Sequence, residues 1–173
     1  MTVPRTIFDS GQGPFFAITG PALTVGLGVP PEGGRSVPGQ AMNARELARR
    51  SQAAVAAKDR SAWLGLFASD AVVQDPVGPS PLDPLGAGHH GAAAIAAFYD
   101  AVISPAEQIT FEIERSYLCG DEVADVGVIR TTLAGGRHVA VVRGVYIYRI
   151  NGEGKLAALR AFWEYDAVEL ADG

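Results

Sequence analysis

Phe67-Ala68-Ser69-Asp70-Ala71-Val72-Val73-Gln74-Asp75-Pro76-Val77-Gly78 is the segment on which the reading of this chain turns. Its apolar run, Ala71 to Val73, predicts a brief strand. Pro76 has no N–H to donate and holds the residue before it extended, so the strand should break at Asp75. A carboxylate at such a break, flanked by apolar residues, can project into a cavity. Desolvation there would raise its pKa toward the range useful for moving protons. A local reading competes with this one, because Asp-Pro also initiates turns.

Helical patterns precede the segment. Asn43 followed by Glu46 has the form of an N-cap with a capping box, and the Ala-rich stretch to Ala57 favours helix. Lys58-Asp59 marks a break, and Ser61 is positioned to cap a short second helix carrying Trp63, Leu64, Leu66 and Phe67. Beyond a Pro- and Gly-rich loop, Ile95, Phe98, Tyr99 and Val102 recur at the spacing of one buried helix face, which Pro105 ends.

The last third alternates with period two. Strands are predicted around Ile109–Ile113, Val123–Leu133, His138–Ile150 and Leu156–Tyr165, with turns at Ala134-Gly135-Gly136 and Asn151-Gly152. Helices followed by a meander of long strands is an α+β order. A curved, mostly antiparallel sheet closing over three N-terminal helices makes a cone with an apolar hollow inside.

Composition narrows the function classes. The 173 residues suit one domain, 48% are hydrophobic, and the net charge of −5 disfavours nucleic acid or an anionic membrane surface as partner. No run of 18 apolar residues predicts a membrane span, and a cytoplasmic protein is expected. The single cysteine, Cys119, excludes an intrachain disulfide and reads as a small buried filler. Residues 1–41 hold eight of the 21 Gly and six of the 11 Pro, and their charges cancel. Gly20, Pro21, Gly26 and Gly28 interrupt the only signal-like stretch, so a disordered or loosely packed extension is expected there, with residues 42–173 forming the domain.

Taken with Gly91 to Tyr99 and Arg149-Ile150-Asn151-Gly152-Glu153-Gly154-Lys155, the opening segment resembles bacterial Δ5-3-ketosteroid isomerases. Those enzymes belong to the SnoaL-like, nuclear transport factor 2-like superfamily of cone-shaped folds. The resemblance implies a cofactor-independent isomerase acting on a steroid-like or polycyclic ketone, with no metal and no organic cofactor. Two further readings stay open within the superfamily: a polyketide cyclase, and a non-catalytic protein that binds an apolar small molecule. A homodimer is also implied.

Carried over residue by residue, the resemblance puts the general base on Asp75. In the family an oxyanion hole of a Tyr and a protonated Asp faces that base. The Tyr position falls on Ser51 here and the Asp position on Tyr146, so Tyr146 becomes the expected catalytic donor. Ser51 is too short to reach the same point unaided. Tyr99 matches a supporting Tyr, and Phe67 replaces another. Leu159, Ala161 and Trp163 match pocket-lining positions, and Val77 lies beside the base; these residues, with Ser51, Phe67 and Tyr99, form the expected substrate-binding set. Period-two counting places Tyr146 on one strand face with Ala140, Val142, Gly144 and Tyr148, where it reads equally as a core aromatic.

His89-His90 lies in the Gly-rich loop, but adjacent residues of an extended chain point to opposite sides and no Cys or further His stands at ligand spacing. A metal site is not expected; a rim position beside the pocket is open to one of the pair. The loop from Pro79 to Gly88 is long enough to act as a lid. Arg130, Arg143 and Arg149 are expected in cross-strand ion pairs on the outer sheet surface or at a dimer contact.

Overall fold

The computed structural model describes residues 42–172. The expectation for residues 1–41 lies outside them. Asn43 caps the first helix, α1 (Ala44–Ala56), by accepting from the Glu46 N–H at 3.0 Å. Leu47, Ala48, Ser51, Ala54 and Val55 share its buried face, the spacing that packs a helix on a sheet. Lys58, with φ 56°, turns the chain into α2 (Arg60–Leu64). The cap of α2 is Asp59, which accepts from Ala62 N–H at 2.9 Å; Ser61 sits inside the helix. A carboxylate two residues earlier takes the capping place at which Ser61 was expected.

Strand β1 (Phe67–Gln74) ends one residue before Asp75, and a two-residue strand, β2 (His89–His90), pairs with it. Helix α3 (Gly91–Phe98) continues as a π-helical turn over Tyr99–Ile103. The long strands β3 (Gln108–Cys119), β4 (Glu122–Thr132) and β5 (His138–Ile150) follow, then β6 (Leu156–Phe162), a 3₁₀ turn at Tyr165–Ala167, and β7 (Glu169–Asp172). The strand expected to run to Tyr165 thus stops at Phe162, and the chain returns as a further strand.

The strand order is β2-β1-β6-β5-β4-β3, antiparallel except that β1 runs parallel to β6. Strand β5 has two successive partners on one edge: β6 along Val145–Ile150 and β7 along His138–Val141. A bulge in β3 between Ile113 and Arg115 bends the sheet toward the helices. Leu47, Trp63, Val73, Ile95, Val123 and Leu156 are among the side chains enclosed between the helices and the concave face.

On the outer face, Arg130 meets Glu112 at 2.7 Å and Arg143 approaches Glu169 at 3.8 Å, as expected of them, whereas Arg149 forms no ion pair among the described residues; both pairs are exposed and contribute little to stability. Cys119 ends β3 in solvent, not in the core, because the β3–β4 hairpin projects past the helices that would have covered it. Among the described residues no helix is long and apolar enough to cross a membrane.

Candidate active site

Asp75 reaches the hollow because of the one parallel pairing in the sheet. Val73 lies opposite Leu159 and Gln74 opposite Arg160, and the Val77 N–H donates to Ala161 O at 2.8 Å, so pairing resumes immediately after Pro76. Asp75 is thereby held at the mouth of the cone, beside the end of β6. Two residues past Ala161, Trp163 Nε1 donates to Asp75 Oδ1 at 2.5 Å. One carboxylate oxygen is tethered by that bond.

Two connected chambers meet at Asp75, sharing it with Val102, Ile129 and Thr131. The inner chamber holds about 130 Å³ between α1, α3 and the concave sheet, with Val55, Trp63, Phe98 and Phe111 in its walls. The outer one holds about 480 Å³ and opens beyond Trp163, between Leu82, Leu133, Val142 and Leu170. Loss of hydration inside this apolar hollow pushes the Asp75 carboxyl up from 3.8 to about 6, against the Trp163 hydrogen bond, which favours the anion.

Four hydroxyl side chains share the inner chamber: Ser51, Thr131, Tyr146 and Tyr148. Ser51 Oγ accepts from Trp63 Nε1 at 2.9 Å and is 1% exposed. Tyr146 donates to Val142 O at 3.1 Å, four residues back on its own strand, so its proton is directed along β5. Burial holds both phenols protonated well above their ordinary range, with the Asp75 charge adding to the effect.

The expected substrate-binding set divides. Ser51 and Leu159 line the inner chamber and Trp163 the outer. Phe67, Tyr99, Ala161 and Val77 line neither. Phe67 packs edge-on against Trp63 at 4.6 Å, and Tyr99 lies behind the same indole at 5.4 Å, its buried hydroxyl without a partner. Ala161 is fully enclosed, and Val77 faces a separate depression beside Phe162 and Arg143. The indole of Trp63 therefore takes the wall positions expected of Phe67 and Tyr99. Sequence reading missed Thr131, Tyr148 and the β7 wall; for Tyr148 the period-two register with Tyr146 was the available signal.

His89 and His90 stand away from both chambers. The His89 ring packs against Phe98 at 4.8 Å, and His90 Nε2 lies 2.9 Å from Ala87 O. Asp83 is used within its loop, accepting from the Gly86 and Gly88 N–H groups, and Leu82 from the same loop borders the outer chamber. Among the described residues no cluster of three His, Cys, Asp or Glu side chains could hold a metal ion.

A family model described as a SnoaL-like domain matches residues 48–167. No curated protein matches. Among solved structures, a Δ5-3-ketosteroid isomerase from Mycobacterium sp. is similar at 37% identity, over 74% of this chain and 98% of that one, with a TM-score of 0.70. RV0760c from Mycobacterium tuberculosis, solved in complex with estradiol-17beta-hemisuccinate, is similar at 34% identity over 73% of this chain and 97% of that one, with a TM-score of 0.68. A computationally designed 17-OHP binder is similar at 32% identity, over 74% and 98% of the two chains, with a TM-score of 0.70.

Proposed function

The chain belongs to the SnoaL-like domain family as a ketosteroid isomerase-like member, and from that premise we propose that it moves a proton within a steroid-like polycyclic ketone, with Asp75 as the base. One observation carries the reading: a carboxylate poised at about 6 stands in the wall of an apolar cavity, with one oxygen anchored. The relatives that isomerise a Δ5-3-ketosteroid or hold an estradiol derivative support a steroid-like ligand. So does the shape of the hollow. The inner chamber takes the reacting ring beside Asp75, and the outer one continues past Trp163 to receive the rest of an elongated ring system.

The step needs one carboxylate and a hydroxyl donor. Asp75 removes the proton from the carbon between ketone and alkene. The electron pair of that C–H bond forms a new C=C bond as the carbonyl π pair moves to oxygen, giving a dienolate that a cavity hydroxyl stabilises. Asp75 then returns the same proton two carbons along, leaving a conjugated ketone and a regenerated base. Trp163 keeps the carboxylate ionised at neutral pH by favouring its charged form.

The test is turnover of a Δ5-3-ketosteroid, followed by the absorbance of the conjugated product as a function of pH. The base works ionised, so the rate should rise with pH through about 6 and level off above it. In Trp163→Phe the donor that favours the anion is gone, and the rising limb should move to higher pH. Conversion no faster than the spontaneous reaction between pH 6 and 8 would sink the proposal.

A further inference from the structure

Of the four hydroxyls that line the chamber with Asp75, Tyr148 is the one on which both Gln52 and Asp125 act. Asp125, on the concave face of β4, is 3% exposed, and its Oδ2 accepts from Gln52 Nε2 at 2.8 Å. A carboxylate only accepts, so this bond fixes which way the Gln52 amide points: its NH₂ group faces inward from α1. That group has a second N–H, and Gln52 acts on the Tyr148 phenol in the direction of a donor to its oxygen. A phenol oxygen that accepts from an amide keeps its own proton to give.

The other three hydroxyls are placed differently. Tyr146 has spent its proton on Val142 O, and Ser51 on α1 and Thr131 on β4 each reach only one bond from their Cβ. Burial of Tyr148, followed by the Asp125 and Asp75 charges, holds its proton in place, while Gln52 pulls the other way. Tyr148 is thus a neutral donor at neutral pH, where Asp75 is an ionised base. The second oxygen of Asp125 is buried without a partner, so its charge bears on this chain undiluted.

We propose that Tyr148 is the catalytic hydroxyl that binds the ketone oxygen of the ligand while Asp75 moves the proton, with Gln52 and Asp125 as its positioning residues. The assignment rests on the isomerase reading of the same cavity and replaces the donor role that resemblance gave to Tyr146.

The probe is 2-naphthol, an aromatic hydroxyl compound whose absorption and emission report the hydrogen bonds to its oxygen and which binds without turning over. Bound to the wild-type chain, it should show a shifted band. Tyr146→Phe should keep that band and bind within about threefold of wild type, whereas Tyr148→Phe should lose it and bind about tenfold or more weakly. Gln52→Leu should lower kcat on the ketosteroid with little change in KM and should reduce the band shift; a merely structural role would lower the melting temperature and leave the bound probe's spectrum alone. Loss of the band in Tyr146→Phe with retention in Tyr148→Phe overturns the proposal, as does retention in all three variants. Because the probe needs no proton transfer, the outcomes separate: if the wild-type chain converts the ketosteroid no faster than the spontaneous reaction while Tyr148→Phe still loses the band, the isomerase reading fails and the donor assignment stands.

Discussion

Asp75→Asn will lower kcat for ketosteroid isomerisation by about 10²–10⁴-fold, the usual contribution of a positioned general base, and will raise the melting temperature at pH 7. The two effects have one origin. Folding carries the carboxylate into the hollow and shifts its pKa from 3.8 to about 6. Between those values the folded chain binds more protons than the unfolded one, so stability falls as pH rises through this window and stays flat above it. At neutral pH the ionised side chain therefore costs about 3 kcal/mol relative to its protonated form. Asparagine has nearly the same shape, can accept from Trp163, and carries no charge to desolvate. A gain of about 1–3 kcal/mol is expected, or several degrees in a domain of this size. Thermal melts of both proteins from pH 3.5 to 8 measure it: the curves should coincide at the acid end and separate through pH 4–6. Equal activity, or a variant less stable than wild type at pH 7, would remove Asp75 from the centre of the mechanism.

Such a residue is legible in sequence because the signal is local. An apolar strand stopped by Pro76 leaves little freedom to the carboxylate before it, and the capping pattern at Asn43 and Glu46 is equally local. What supports the carboxylate was not legible. Trp163 stands 88 positions away and arrives through the parallel β1–β6 pairing, which no pattern within either strand encodes. Likewise, period two placed Tyr146 and Tyr148 on one face but could not say which proton was already spent. That depends on a carbonyl four residues back in one case and on a side chain of α1 in the other. Strand β7 is four exposed residues without alternation, and its role appears only once β6 has turned away at Phe162 and left the first half of β5 unpaired. The wall expected of Phe67 and Tyr99 went to Trp63 for a similar reason. Its indole N–H found a partner in Ser51, the position where a longer side chain was expected.

Gly127→Ala should be the most damaging single methyl addition in the described chain, and the reason lies in how the cone closes. Gly127 and Gly144 face each other across β4 and β5. A Cβ on Gly127 would stand 2.2 Å from Glu112 O and 2.9 Å from Ile113 Cα, both backbone atoms at the β3 bulge. Neither can rotate aside. Relief requires β3 to lift, and β3 carries Ile109 and Phe111 over the inner chamber. Overpacking against backbone, with loss of that roof, is expected to cost about 3–5 kcal/mol; chemical denaturation reads it directly. On the other strand, a Cβ on Gly144 would meet Phe162 O at 2.6 Å and Trp163 Cβ at 3.2 Å. Phe162 ends β6, so part of this collision can be relieved by moving the chain that carries Trp163. Gly144→Ala should then cost less stability, about 1–3 kcal/mol, yet move the acid limb of the rate profile to higher pH, because the indole no longer sits squarely on Asp75. If Gly127→Ala melts within about 1 kcal/mol of wild type, the line through these two glycines is not where the sheet is forced to bend. If Gly144→Ala loses stability without any change in the limb, the end of β6 does not set the geometry of the base.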